Sequence, residues 1–213
     1  MKIKVCGMRE AGNITALGSL HPDYMGLIFF EGSARYAGQL PPEDLANLPG
    51  VTRRVGVFVN QPEDLIRDRI AAYRLDMIQL HGQETPEFCA RFTDIPVIKA
   101  FPVGESFDFS LLENYKPHCA YFLFDTQGKH HGGNGYTFNW QLLEQYDNEK
   151  PFFLSGGIDL QHLDALRDMM HLNIHAVDVN SRFETAPGCK DIARLEVFIS
   201  RLREHHLSAS EPQ

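Results

Sequence analysis

The chain has 213 residues, 43% of them hydrophobic and 23% charged, and a formal net charge of −8. That is enough apolar material for one sizeable core. The acidic balance excludes a nucleic-acid partner drawn by a general positive field, but not a pocket of backbone amides for one small phosphate.

No apolar run reaches membrane-spanning length, and Met1-Lys2-Ile3-Lys4 carries no apolar signal core, so the expectation is a cytoplasmic protein without a membrane partner. Cys6, Cys89, Cys119 and Cys189 are widely spaced, with no CxxC pair and no metal-ligand rhythm, and read as reduced thiols.

In chain order, short apolar runs alternate with amphipathic stretches. Eight strands are predicted: Lys2–Cys6, Tyr24–Phe29, Arg54–Val59, Met77–His81, Val97–Phe101, Tyr121–Asp125, Phe152–Ser155 and His175–Val179. Helices are predicted between and after them, over Glu10–Leu17, Pro42–Leu48, Pro62–Tyr73, Pro86–Phe92, Phe109–Asn114, Asn139–Tyr146, Leu160–Met169 and Asp191–His205. The last is the clearest, with Ile192, Leu195, Phe198, Ile199 and Leu202 on one stripe. Eight β-α units favour one α/β domain, a (β/α)8 TIM barrel over residues 1–206, with 207–213 as a flexible polar tail. No GxGxxG follows the first strand, which argues against a dinucleotide-binding open sheet.

Alternate residues of a barrel strand point inward. In Met77-Ile78-Gln79-Leu80-His81 the apolar Ile78 and Leu80 suit the helix layer, which turns Gln79 and His81 to the axis. By the same parity Cys6, Asp125, Asp178 and Asn180 gather at the carboxyl-terminal mouth, where barrel enzymes build their sites. Cys6 reads either as a small buried hydrophobe or as a catalytic thiol. Lys4 shares its face, and the first and eighth strands of a closed barrel are neighbours, so Lys4 is expected to pair with Asp178. Ser155-Gly156-Gly157 and Asn180-Ser181-Arg182 follow strands seven and eight, where barrels commonly hold phosphate. Cys89 and Cys119 read as packing residues. His130-His131, in the glycine-rich stretch after strand six, reads as solvated, and no metal is expected.

Lys4-Val5-Cys6-Gly7-Met8-Arg9, Ser33-Ala34-Arg35-Tyr36, Ile78-Gln79-Leu80-His81-Gly82, Leu123-Phe124-Asp125-Thr126, Leu154-Ser155-Gly156-Gly157 and Asp178-Val179-Asn180-Ser181 occur in this order. With Pro187-Gly188-Cys189-Lys190-Asp191 they make the chain resemble the phosphoribosylanthranilate isomerases of tryptophan biosynthesis. The resemblance implies a (β/α)8 barrel, a phosphorylated small-molecule substrate and an Amadori rearrangement of aminoaldose to aminoketose, without cofactor or metal. It implies Asp125 as general acid, Cys6 as general base and Arg35 facing the anthranilate carboxylate. Gly156, Gly157, Asn180 and Ser181 match the phosphate loops, Asp178 stands beside them on the substrate side, and Gln79 and His81 take supporting roles. Those roles call for a protonated Asp125 and for positive charge near Cys6 that favours its thiolate.

Two positions depart from the family pattern: Asn134 stands where threonine is usual and Arg182 where glycine is. Arg182 either contacts phosphate or points to solvent. The alternatives to this activity are another phosphosugar isomerase of the barrel type and a catalytically silent anion-binding barrel. Compact loops suggest a monomer.

Overall fold

The computed structural model describes residues 1–45, 48, 50–104, 106–126 and 140–208. Eight parallel strands close into a barrel in sequential order. They are β1 (Lys2–Cys6), β2 (Tyr24–Ile28), β3 (Arg53–Phe58), β4 (Met77–Leu80), β5 (Val97–Val103), β6 (Tyr121–Thr126), β7 (Phe152–Ser155) and β8 (Ile174–Val179). Each lies within two residues of its expected bounds. The seam is the β1–β8 pair, in which Lys4 stands opposite Asp178.

Two apolar layers follow from strand parity. Tyr24, Val55, Met77, Ile98, Ala100, Leu123, Phe153 and Ala176 fill the barrel interior. Ile78, Leu80, Phe122, Phe124, Leu154 and Val177 face outward into the larger cluster that the helices cover. Cys89 and Cys119 are buried in that outer cluster, as packing residues should be.

The helical layer is thinner than expected. α1 (Ala11–Gly18), α2 (Glu63–Tyr73), α3 (Pro86–Cys89), α4 (Leu163–Asp168) and α5 (Ile192–Ser208) are α-helical. The segments Pro42–Leu45, Phe109–Asn114 and Trp140–Gln145 form only 3₁₀ turns. Phe109–Asn114 illustrates the reason. Asp108 caps its start by accepting from Ser110 N–H, and Pro117, three residues past its end, has no N–H to carry the ladder on. α5 buries Leu195, Phe198, Ile199 and Leu202, as its stripe predicts.

After β8 the chain forms an unexpected hairpin, β9 (Glu184–Ala186) with β10 (Cys189–Lys190). Gly188 turns it at φ +83°, a conformation that favours glycine. Asn13 on α1 bonds both the N–H and the carbonyl of Lys190, fixing the hairpin against the barrel. Residues 209–213 of the expected tail, His130-His131 and Asn134 lie outside the described residues.

Candidate active site

A cavity of about 200 Å³ opens at the carboxyl ends of the strands. Its lining includes Cys6, Gln79, His81, Asp125, Gly156, Gly157, Asp178, Asn180, Ser181 and Arg182. The barrel thus brings together every site residue expected from the sequence except Arg35, which sits at the rim.

Cys6 ends β1 and is 5% exposed. Its thiol rests over Gly26 of β2. A Cβ added at Gly26 would lie 2.6 Å from Cys6 Sγ, so only glycine leaves this space. Gly7, at φ +80°, then turns the chain away, and its N–H and that of Met8 donate to the Gly26 carbonyl.

Beneath the thiol, Lys4 Nζ donates to Asp178 Oδ2 at 2.7 Å, in a pair almost wholly removed from solvent. The pairing expected from strand parity is therefore present. Burial alone would pull the Lys4 ammonium down, but Asp178 and the thiol outweigh it and hold it above its ordinary value. For Asp178, burial pushes the carboxyl up and Lys4 pulls it back. The 2.7 Å contact identifies an ion pair. Asp178 Oδ1 is buried, lacks a hydrogen-bond partner among the described residues, and belongs to a cavity-lining side chain.

The electrostatics at Cys6 differ from the expectation. Positive charge is present, in Lys4 and Lys190, but burial is the largest influence and the thiol lies above its ordinary range. Lys190 is itself 2% exposed and donates to Asn180 Oδ1 at 2.7 Å and Glu184 Oε1 at 2.6 Å. Burial pulls its ammonium down, against Glu184.

Arg35 follows β2 and reaches across to the hairpin. Its Nε and Nη2 donate to both carboxylate oxygens of Glu184, at 2.6 to 3.0 Å. Its stem lies against Gly7, where an added Cβ would come within 2.7 Å of Arg35 Cδ and 2.8 Å of Asn180 Oδ1. Arg9 holds the preceding turn by donating to the Ala34 carbonyl.

Across the mouth, His81 Nε2 is 3.4 Å from Asp125 Oδ2, and Gln79 Nε2 is 2.7 Å from His81 Nδ1. Lys99 braces the turn that carries His81. Its buried ammonium takes the carbonyls of Leu80 and Gly82, on either side of His81, and the Glu84 carboxylate.

Gly156 and Gly157 adopt φ +111° and +65°, which opens the backbone after β7. A Cβ on Gly157 would lie 4.0 Å from Arg182 Nε, so Arg182 stands over the glycine loop at the cavity edge, with a face to solvent. Sequence reading assigned no role to Lys190, Glu184 or Lys99. Their signal was a lysine inside an apolar strand or beside a glycine turn, which parity alone does not resolve.

A closed parallel barrel with a thiol, a carboxyl group and a glycine loop around one mouth defines a barrel enzyme of the acid–base kind. Comparison with known proteins makes this particular. The family model for N-(5'-phosphoribosyl)anthranilate isomerase matches residues 3–201. The N-(5'-phosphoribosyl)anthranilate isomerase of Phocaeicola vulgatus is 43% identical over 96% of this chain and 98% of its own. That of Parabacteroides distasonis is 40% identical over 95% and 93%. Among solved structures, phosphoribosyl anthranilate isomerase from Thermotoga maritima superposes with a TM-score of 0.78 at 31% identity, covering 96% of this chain and 99% of that one. A phosphoribosyl anthranilate isomerase in complex with reduced 1-(o-carboxyphenylamino)-1-deoxyribulose 5-phosphate gives the same TM-score at 30% identity, over the same 96% and 99%. The chain belongs to the N-(5'-phosphoribosyl)anthranilate isomerase family.

Proposed function

We propose that the protein catalyses the Amadori rearrangement of N-(5-phosphoribosyl)anthranilate to 1-(2-carboxyphenylamino)-1-deoxy-D-ribulose 5-phosphate, in tryptophan biosynthesis, with Asp125 as acid and Cys6 as base. The observation that carries the assignment is that both line one cavity together with the Gly156-Gly157 and Asn180-Ser181-Arg182 loops.

Asp125 gives its proton to the furanose ring oxygen. The bond from C1 to that oxygen breaks, and the anthranilate nitrogen lone pair forms the C1=N iminium. Cys6 thiolate removes the C2 proton, and the electron pair moves toward the iminium to give an enolamine. Loss of the C2 hydroxyl proton and protonation at C1 complete the ketone. The iminium is the electron sink, so the chemistry needs no cofactor or metal. Its positive charge, with Lys4 and Lys190, offsets the burial that raises the free thiol.

The open backbone at Gly156 and Gly157, with Asn180 and Ser181, suits a phosphate, and Arg182 adds a cation there. Asp178 Oδ1, buried without a partner among the described residues, suits the substrate amine N–H. Arg35 serves the anthranilate carboxylate from the rim, where Glu184 pre-orients its guanidinium. Gln79 and His81 support Asp125.

The protein acts in the cytoplasm as a monomer. In support, no described helix is long and apolar enough to cross a membrane, and exposed Phe30, Val51, Leu111 and Val197 sit on separate elements. One structure in the family is of monomers generated from a dimeric Thermotoga maritima enzyme, so sedimentation equilibrium is the test here.

Purified protein should quench the anthranilate-type fluorescence of the substrate as it turns over. Cys6→Ala and Asp125→Ala should each lose at least about a hundredfold in kcat while still binding the reduced product analogue. Wild-type turnover in either variant would overturn that residue's assignment, and no turnover in the wild type would favour a binding-only barrel.

A further inference from the structure

The hairpin after β8 gathers two cations around one carboxylate. Lys190, 2% exposed, donates to Asn180 Oδ1 at 2.7 Å and to Glu184 Oε1 at 2.6 Å, the latter as an ion pair. The Glu184 carboxylate also takes Arg35 Nε and Nη2 and, at 3.1 Å, the Gly188 N–H. Arg35 Cδ and Asn180 Oδ1 meet over Gly7, 2.7 and 2.8 Å from where its Cβ would stand. One buried ammonium therefore joins the arginine at the rim to the asparagine of the loop after β8.

The Arg35–Glu184 pair alone is neutral, and a neutral pair attracts a further carboxylate only weakly. Lys190 leaves the three groups with one positive charge over. Neighbouring charges do not cancel it, since Lys4 is paired with Asp178, and Arg9, beside Gly188, with Glu10. Glu184 occupies the Nε side of the Arg35 fork, which leaves the Nη1 and Nη2 end for an incoming carboxylate. On the other side, an ammonium only donates, so it meets the Asn180 amide at its oxygen. The amide N–H2 group is left for an acceptor, and Asn180 lines the cavity.

We propose that Lys190 is a positioning residue that sets selectivity for a substrate anionic at both ends. Its charge makes Arg35 receptive to the aryl carboxylate, and its bond to Asn180 presents that amide to the phosphate end. Lys190 is absent from the cavity lining and acts through these two side chains. The inference rests on the reading that gives Arg35 to the carboxylate and the Asn180 loop to the phosphate.

Titration calorimetry with three unreactive ligands separates the two. They are the reduced product analogue, the same molecule without its carboxylate, and the same molecule without its phosphate. Binding is measured rather than turnover because Lys190 also acts on the Cys6 thiol. Wild type should favour the complete ligand over each truncated one by at least about tenfold. Absence of either preference would overturn the site assignment and the proposal with it. In Lys190→Met, Glu184 keeps Arg35 and the Gly188 N–H, and both preferences should fall by at least about fivefold. Adding Glu184→Gln restores one positive charge at Arg35. The double variant should recover the carboxylate preference by at least about threefold and leave the phosphate preference low. Wild-type preferences in folded Lys190→Met, or no recovery of the carboxylate preference in the double variant, would overturn the proposal while the assignment stands. If Lys190→Met does not fold, the neutral Lys190→Gln should show the same loss of carboxylate preference, and a wild-type preference there would overturn the proposal.

Discussion

Replacing Lys4 by methionine removes one charge from the buried ion pair at the barrel seam. The perturbation is nearly isosteric, so it leaves little cavity and isolates the electrostatic effect. Asp178 remains, 5% exposed, with Oδ2 having lost its Lys4 partner and Oδ1 without one among the described residues. Leaving one member of such a pair buried costs about 3–5 kcal/mol, which lowers Tm by about 10 °C for a chain of this size. The loss depends on pH in a defined direction. Without Lys4, the largest influence, burial, loses its main opponent and raises the Asp178 carboxyl further above the unfolded value. The folded variant then holds a proton that the unfolded chain has lost, so its stability rises as pH falls. Urea unfolding at pH 8 and pH 5.5 should therefore show a large deficit at the higher pH and a smaller one at the lower. Pairing Lys4→Met with Asp178→Leu should recover most of the stability, since two apolar groups need no partner. A Lys4→Met protein within about 1 kcal/mol of wild type at pH 8 would refute the reasoning.

Three further outcomes follow from the same geometry. His175, bonded to the Tyr24 hydroxyl at 2.7 Å, is pulled from 6.5 down to about 4 by burial, with Lys2 adding to the fall. Between these values the unfolded chain takes up a proton that the folded ring does not. Stability should thus drop by about 2 kcal/mol on acidification, and His175→Phe should flatten the slope. Gly26→Ala should cost about 1–3 kcal/mol and sharply reduce kcat, because its methyl group would lie 2.6 Å from Cys6 Sγ and displace the thiol, and unchanged kcat would contradict that placement. Lys190→Met should move iodoacetamide alkylation of Cys6 to higher pH, since Lys190 is one of the two cations that oppose the effect of burial on the thiol; an unmoved profile, followed by mass spectrometry of the Cys6 peptide, would exclude that influence.

How far the chain could be read depended on whether the deciding contact was periodic. Strand parity places Gln79, His81, Asp125 and Asp178 at one mouth because the strands keep a period of two at their carboxyl ends, although the β7–β8 register shifts near the start of β8. It also pairs Lys4 with Asp178, because closure makes β1 and β8 neighbours. The helical layer was less legible. Pro42–Leu45 and Phe109–Asn114 have helical composition but form 3₁₀ turns, and after the second Pro117 has no N–H to extend the ladder. The β9–β10 hairpin was not anticipated, since two- and three-residue strands carry no alternation to detect. Lys190 and Glu184 were lost with it, and with them the partner that holds Arg35. Gly26 looked like any strand glycine until the thiol lying over it was located.

The seam has a consequence for how the enzyme comes into being. Lys4 and Asp178 are 174 residues apart in the chain, and no local segment contains both the thiol and the ion pair beneath it. A nascent chain, or any half-barrel fragment, therefore lacks the site, however well its own strands form. Turnover becomes possible only when the first strand finds the last, a contact whose loop-closure entropy is among the largest the chain can meet. Return of activity during refolding is thus a clock for the final topological event. It should lag behind any signal from Trp140, which sits between β6 and β7 in one half of the molecule.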